Sequence, residues 1–390
     1  MEIGATVTGE WFSNPKTQAV CRALTGAGHQ ALFVGGCVRN ALLGVAVSDI
    51  DIATDAEPDE VSALEEAAGF KVIPTGIDHG TVTVVAGGIP HEITTFRHDV
   101  ETDGRRAVIA FSREIADDAR RRDFTMNALY ADPSGRVIDP LGGLGDLQAR
   151  RIRFIEDPVE RIREDYLRTL RFFRFHAWYG DPDGGLDPDG LAAISTHLDG
   201  LDRLSRERVG AEMKKLLSAP DAAPAVAAMR ATGVLSHILP GADDTALAPL
   251  IHLETEHGIA PDAIRRLAAL GGDDPEHRFR LSNKESARLK ALRDELSDMG
   301  SPGHLGYRYG YDNARDIILL HGAMMGTALE PGHFQAAHTG ARAEFPLRAR
   351  DLMPAFQGPA LGQMMRKLEE RWIESGFSLS RDDLLRASGT

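Results

Sequence analysis

Along the first 120 residues the apolar positions switch repeatedly between two periods. Ala31–Val34 is a continuous apolar run, read as a buried strand, and Gly35 and Gly36 end it. Cys37–Leu43 has helical spacing and stops at Gly44. Ile50 and Ile52 then alternate with Asp49 and Asp51, a strand period that puts both carboxylates on one face. Asn14–Gly28 reads as a leading helix with Pro15 in its first turn. Pro58–Ala68 reads as an amphipathic helix, with Val61, Leu64 and Ala68 inward and Asp59 and Glu60 at its start. Phe70–Ile73, Thr81–Val85 and Glu92–Phe96 read as strands, with Gly87-Gly88 as the turn before the last. The pattern predicts an α/β domain on a small mixed sheet. Residues 98–114 are polar and predict a mobile loop ending in a short strand, Val108–Phe111. Arg120–Leu129 reads as helical, and Arg136–Pro140 as a short strand into a turn.

From Asp157 onwards only the helical period persists. Asp157–Tyr179 reads as one long helix with Ile162, Tyr166, Leu170, Phe173 and Ala177 along its apolar stripe. Residues 181–190 are a turn-rich break. Leu201–Leu217, Pro224–Leu239 and Gly358–Phe377 read as further helices. The expected division is an N-terminal helix over 1–27, a catalytic α/β domain over 28–150, a helical neck over 151–240 and a helical body and tail over 241–390.

Charge narrows the partners. The chain carries 44 Lys+Arg against 58 Asp+Glu, a net charge of -14, which argues against an indiscriminate nucleic-acid binder. An RNA partner needs a local basic surface. Arg265, Arg266, Arg278, Arg280, Lys284, Arg288 and Lys290 form a basic interval, either such a surface or a solvated face. The two cysteines, Cys21 and Cys37, support neither a disulfide framework nor a cysteine zinc site. No signal peptide or membrane-length run is visible, so a cytoplasmic protein with no membrane partner is expected.

Candidate chemistry gathers at three places. Asp49 and Asp51 repel each other unless they share a cation, and paired carboxylates holding Mg²⁺ are a common solution for phosphate substrates. Gly35 and Gly36 can bring amides to a phosphate, and Arg39 adds a planar cation. A lone D-x-D is nonetheless common, and a Gly pair is often only a turn. Glu92 is either a third carboxylate or a surface strand residue. Asp123 and Asn127, four apart, share a face if 120–129 is helical, and can bond a sugar or orient an arginine such as Arg122. Asp165 and Arg168 are three apart. They belong either to a salt-bridged face, with Glu164–Arg168 and Arg161–Asp165 pairs, or to a base-reading pair. Cytosine and adenine both present an amine beside a ring acceptor; uracil and guanine carry a carbonyl there.

Taken in order, G-G-C-V-R followed by D-I-D, then R-R-D-F-T-M-N-A at 121–128, then R-E-D-Y-L-R-T-L-R at 163–171, resemble the signatures of the tRNA CCA-adding enzyme and bacterial poly(A) polymerase family (class II). The resemblance covers about residues 28–240. It implies a DNA polymerase β-like nucleotidyltransferase domain with a small mixed sheet, followed by an all-α neck, body and tail. It implies template-independent addition or repair of the 3′-terminal CCA of tRNA from CTP and ATP, releasing pyrophosphate by in-line transfer with two metal ions. Asp49 and Asp51 are then the Mg²⁺ ligands and Glu92 a third catalytic carboxylate. Gly35, Gly36, Arg39 and Arg122 hold the triphosphate, Asp123 and Asn127 lie by the ribose, and Asp165, Arg168 and Arg171 face the base. The 98–114 loop resembles the one associated with the switch to adding A. Asn40 departs from the family, which usually has Asp there. Alternatives within the resemblance are a poly(A) polymerase, an enzyme adding only CC or only A, and a non-catalytic RNA-binding relative. The sequence leaves the oligomeric state open.

Overall fold

The computed structural model describes residues 5–102, 107–296 and 299–389. The chain forms two units, one of Met1–Glu212 with Pro224–Ile238 and one of Met213–Ala223 with Leu239–Thr390. The change at Ile238–Leu239 lies beside the expected boundary at 240. The expected boundary at 150 falls inside the first unit.

In the first unit, α1 (Glu10–Ser13) and α2 (Pro15–Gly26) precede β1 (Leu32–Val34), α3 (Gly36–Leu43), β2 (Ile50–Thr54) and α4 (Pro58–Ala67). Asn14 caps α2 by accepting from the Lys16 amide, with Pro15 at the first helical position. Next come β3 (Lys71–Gly76), β4 (Thr81–Ala86) and β5 (Ile89–Thr95). β6 (Arg97–Thr102), β7 (Ala107–Phe111), α5 (Ile115–Arg120), β8 (Tyr130–Ala131) and β9 (Val137–Ile138) follow. The main sheet has seven strands in the order β3-β4-β5-β2-β1-β8-β9, mixed because β2 runs parallel to β5. Period-two alternation gives it two unlike faces. Ile52, Ile93, Val82 and Val84 are buried on the face packed by α2 and α4. Asp51, Glu92, Thr83, Thr81 and Thr94 stand on the other.

Four sequence expectations change. Residues 98–114 are mostly the β6–β7 hairpin, not a loop, because successive residues pair across it from Arg97↔Phe111 onwards, with one register shift between Asp99 and Glu101. Its D-G-R, Asp103–Arg105, lies outside the described residues. Residues 120–129 are not a helix: α5 ends at Arg120 and only Thr125–Asn127 form a 3₁₀ turn. The long helix is two, α7 (Pro158–Glu164) and α8 (Leu167–Tyr179), after α6 (Gly143–Gln148). The break is at Asp165, which is extended and accepts the Leu167 amide at 3.1 Å, starting α8 afresh. α9 (Pro188–Ser195), α10 (Arg206–Leu217), α11 (Ala223–Ala231) and α12 (Val234–Ile238) follow. Gly233, at φ 83°, separates the last two where one helix is expected.

Glu65, on α4, is fully buried with neither carboxyl oxygen hydrogen-bonded, and burial pushes its pKa up to about 8. An acid raised in the fold costs stability once the unfolded chain ionises near 4.5, and the cost is complete above about 8. Glu65→Met is therefore expected to melt above wild type. The gap should widen by up to about 1.4 kcal/mol per pH unit between roughly pH 5 and 8. Thermal melts across that range test this; a pH-independent gap overturns it. Cys21 and Cys37 are free and buried, their thiols pushed up to about 12 and about 11 mainly by burial.

The second unit is helical: α13 (Leu247–Glu256), α14 (Ala263–Leu270), α15 (Pro275–Arg278), α16 (Asn283–Asp294), α17 (Pro302–Met325), α18 (His333–Arg342), α19 (Gly358–Glu374) and α20 (Arg381–Ser388). Gly310, at φ 75°, kinks α17. Arg265 and Arg266 of the basic interval are each 1% exposed and lock to Glu254. Arg265 and Arg288 both bond Asp316. Arg265 and Arg266 are internal struts, neither an RNA surface nor a solvated face, while Arg288 is half-buried. Among the described residues no helix is long and apolar enough to cross a membrane.

Candidate active site

The parallel pairing of β2 and β5 sets Asp51 directly beside Glu92. Asp49 lies just before β2, exposed, and accepts from the Ser48 hydroxyl at 2.9 Å. Both neighbours act on Asp51: burial first, then Glu92, with Asp49 adding, push its carboxyl up to about 6, against the pull of Arg122 and Arg39. Glu92 is thus an exposed strand residue that also belongs to the carboxylate cluster. Among the described residues no three acidic, His or Cys side chains are closed into a ligand set. The cluster's all-oxygen donors and the raised Asp51 pKa nevertheless fit a hard divalent cation, which would relieve their mutual repulsion.

Arg122 is aimed by residues outside the expected signatures. Its guanidinium donates to Asp118 (2.9 and 3.2 Å) and to the Tyr130 hydroxyl at 3.2 Å. Asp118 is 1% exposed and also holds Arg121; the two arginines keep its carboxyl down at about 2. Asp118 could have been found from its i,i+3 and i,i+4 spacing to these arginines. Gly35 takes φ 69°, and a Cβ there would lie 3.3 Å from Arg122 Nη1, so only glycine admits the guanidinium so close. The Gly35 amide already donates to Leu129 O at 3.3 Å, leaving the amides from Gly36 onwards as the first turn of α3.

Arg39 takes a different place from the expected triphosphate contact. It is 7% exposed and donates to Asn40 Oδ1 (2.8 and 3.1 Å), Asn127 Oδ1 (2.7 Å) and Tyr179 Oη (2.9 Å). Its guanidinium also lies 4.1 Å from the Tyr179 ring centroid. Asn40 suits this role because its amide donates back to Ala46 O at 3.0 Å, which a carboxylate cannot do. Arg39 therefore ties α3 to the Thr125–Asn127 turn and to α8.

Asp123 and Asn127 do meet, through the turn rather than on a helix: the Asn127 amide donates to Asp123 Oδ1 at 2.8 Å. The other Asp123 oxygen accepts from Arg171 (2.7 and 2.6 Å), which holds its carboxyl below the usual range despite burial. Asp165 and Arg168 do not pair with each other. Arg168 donates to Glu164, to Arg161 O and to Arg121 O. Arg161 bonds Glu164 rather than Asp165. Asp165 accepts from Arg208 at 2.7 Å, a residue the sequence reading passes over because its partner is 43 positions away. Arg122, Asp123, Asp165, Leu167, Arg168, Arg171 and Arg208 together line a cavity of about 280 Å³. The second unit has a larger cavity, about 800 Å³, lined by Pro302, Ala336, Ile373 and Phe377 among others. Its size does not outweigh the convergence of four arginines and two aspartates on the smaller one.

The site's elements coincide with known sequence families. Residues 31–153 match the Poly A polymerase head domain, and 185–245 match the probable RNA and SrmB- binding site of polymerase A. The CCA-adding enzyme of Limosilactobacillus fermentum is 33% identical over 382 residues, covering 93% of this chain and 93% of the relative. The mitochondrial CCA tRNA nucleotidyltransferase 1 of Mus musculus is 30% identical, over 92% and 86% respectively. The crystal structure of the Bacillus stearothermophilus CCA-adding enzyme in complex with CTP superposes with a TM-score of 0.70 at 28% identity, covering 92% of each chain. Near-complete coverage by such relatives, over a sheet that carries the paired carboxylates, makes this chain a member of the CCA-adding enzyme family of nucleotidyltransferases.

Proposed function

We propose that this protein adds or repairs the 3′-terminal CCA of tRNA, taking CTP and ATP and releasing pyrophosphate, in the cytoplasm. The observation that carries the reading is the Asp51–Glu92 register pair, with Arg122 close enough to pull on the Asp51 pKa and also lining the arginine-rich cavity. Asp49, Asp51 and Glu92 hold a divalent cation, Mg²⁺ in this reading. Bound there, Mg²⁺ supplies Lewis-acid stabilisation of charge on the reacting phosphate and on pyrophosphate.

The chain's own residues do the rest. Arg122, braced by Asp118, and the first turn of α3 orient the triphosphate. Arg171, braced by Asp123, adds a second cation at the cavity. Asp165 accepts the exocyclic amine common to cytosine and adenine, and Arg168, fixed by backbone carbonyls, lies beside it. Arg39, Asn40 and Asn127 are positioning residues. The β6–β7 hairpin occupies the segment on which the reading of full CCA addition, rather than CC addition, rests.

Incorporation into a tRNA transcript lacking its last three residues tests this. Labelled NTPs would be offered singly and in pairs with Mg²⁺. The expected result is two C then one A, with UTP and GTP refused. For Asp165→Ala the expected loss is roughly tenfold or more in discrimination, since a lost base contact is worth about 1–3 kcal/mol. Long A tails on any RNA would instead identify a poly(A) polymerase, arrest after two C a CC-adding enzyme, and no incorporation an RNA-binding relative.

A further inference from the structure

The open face of the main sheet continues past the carboxylates, and the mechanism above leaves that part unused. Glu92 on β5 is the register partner of Thr83 on β4, and Thr94 is the partner of Thr81. The Thr83 hydroxyl lies 2.7 Å from the Thr75 hydroxyl on β3, and the Thr81 hydroxyl 3.0 Å from that of Thr94. Thr75 is exposed and the other three are half-buried. Lys71, exposed, shares this face through its pairing with Val85, two residues beyond Thr83. Strands lie about 4.8 Å apart, so this hydroxyl surface runs roughly 10 Å beyond Glu92.

Position gives the surface its occupant. Arg122 bonds Tyr130 of β8 and crowds Gly35 at the end of β1, so the phosphate-binding side flanks β2 towards β1 and β8. The threonines flank the carboxylates on the opposite side, towards β4 and β3. A strand that offers its 3′-oxygen to the carboxylates against a nucleotide held on one side must arrive from the other. Resting on the functional reading above, we infer that Thr83–Thr75 and Thr81–Thr94 bind the last nucleotides of the growing RNA. The chemistry fits. Within each hydroxyl pair one proton is shared and the other stays available, alongside free lone pairs, so each pair can both give to phosphate oxygens and exchange bonds with a 2′-hydroxyl. None of these groups distinguishes bases, as suits an end whose sequence changes with each addition.

Cross-strand threonine pairs also stabilise sheets on their own, so the test must separate the two roles. Thr83→Val and Thr94→Val keep shape and strand preference and remove only the hydroxyls. Steady-state incorporation of CTP into a tRNA transcript lacking CCA would be measured against both RNA and CTP, with thermal melts alongside. The expected result is a KM for RNA raised roughly fivefold per variant, as for one lost hydrogen bond. The KM for CTP stays at the wild-type value, and the melting midpoint falls by no more than the small contribution of one cross-strand pair. On a transcript with 2′-deoxy residues at its last two positions, equal KM for wild type and variants assigns the hydroxyls to the ribose. A persisting difference assigns them to phosphate. An unchanged KM for RNA with an active wild type overturns the inference and leaves the functional reading standing. A rise in both KM values with a lowered midpoint marks the pairs as structural only and also overturns it. An inactive wild type overturns the functional reading itself and this inference with it.

Discussion

Asp51→Asn is expected to lower nucleotide incorporation by about a thousandfold or more, while the folded protein becomes no less stable. The activity loss follows from removing one oxygen ligand and one charge from the carboxylate cluster, where cation assistance is worth several kcal/mol. The stability effect has the opposite sign. Burial, Glu92 and Asp49 push the Asp51 carboxyl up from 3.8 to about 6. A carboxyl raised in the fold disfavours folding once the unfolded chain ionises, and the cost is fully present above about pH 6. In chelator, Asp51→Asn should therefore melt at or above wild type at neutral pH, and the two should converge below about pH 4. Adding Mg²⁺ should raise the wild-type midpoint and leave the variant's nearly unmoved, because only a site that binds in the fold is stabilised by its ligand. Incorporation kinetics with melts in chelator and in Mg²⁺ cover all three readings. Retained activity within tenfold of wild type would remove Asp51 from the metal site.

A large loss of stability is expected in the second unit, at residues outside the candidate site. Glu254, 2% exposed, accepts from both Arg265 and Arg266, and Asp316, fully buried, accepts from Arg265, Arg288 and Arg315. Backbone carbonyls of Ala260, Leu217 and Pro220 take further guanidinium protons. Such a network adds little over an apolar core when complete, but losing one member strands buried charge. Glu254→Gln is expected to cost about 3–5 kcal/mol. Arg308→Ala, which removes an exposed partner from Glu295 while the Tyr309 hydroxyl still donates to that carboxylate, should cost under about 1 kcal/mol. Urea denaturation of the two variants beside wild type decides it. Equal, small losses would mean that water reaches the Glu254 cluster.

Much of the site was legible because its logic is local. The D-x-D spacing keeps Asp49 and Asp51 two residues apart whatever the rest of the chain does, although only Asp51 falls on the strand, Asp49 lying just before it. Asn14–Pro15 and Glu57–Pro58 mark helix starts through side chains and ring geometry acting within one turn. The Gly87–Gly88 hairpin was readable for the same reason. Local rules also account for the errors. The helical stripe of 157–179 is real, yet Asp165 found a turn bond to Leu167 and split it, and that break turns Asp165 towards Arg208. Residues 120–129 hold a helical pattern, but a buried Asp123 needed Phe124 N, Asn127 and Arg171 together, and an irregular turn satisfies all three.

By itself, then, the sequence determined most of the first unit's strands and early helices, the spacing of the two aspartates and the family, since periodicity, capping and short signatures all act over a few residues. Only the tertiary structure decided that Glu92 stands beside Asp51, because strand register is a pairing of segments 41 positions apart. It also decided that Arg39, Arg265 and Arg266 are internal struts while Arg122, Arg168, Arg171 and Arg208 converge on one cavity. An arginine's charge is written in the sequence, but whether it meets a ligand or a buried carboxylate depends on which distant residues the fold brings within about 3 Å.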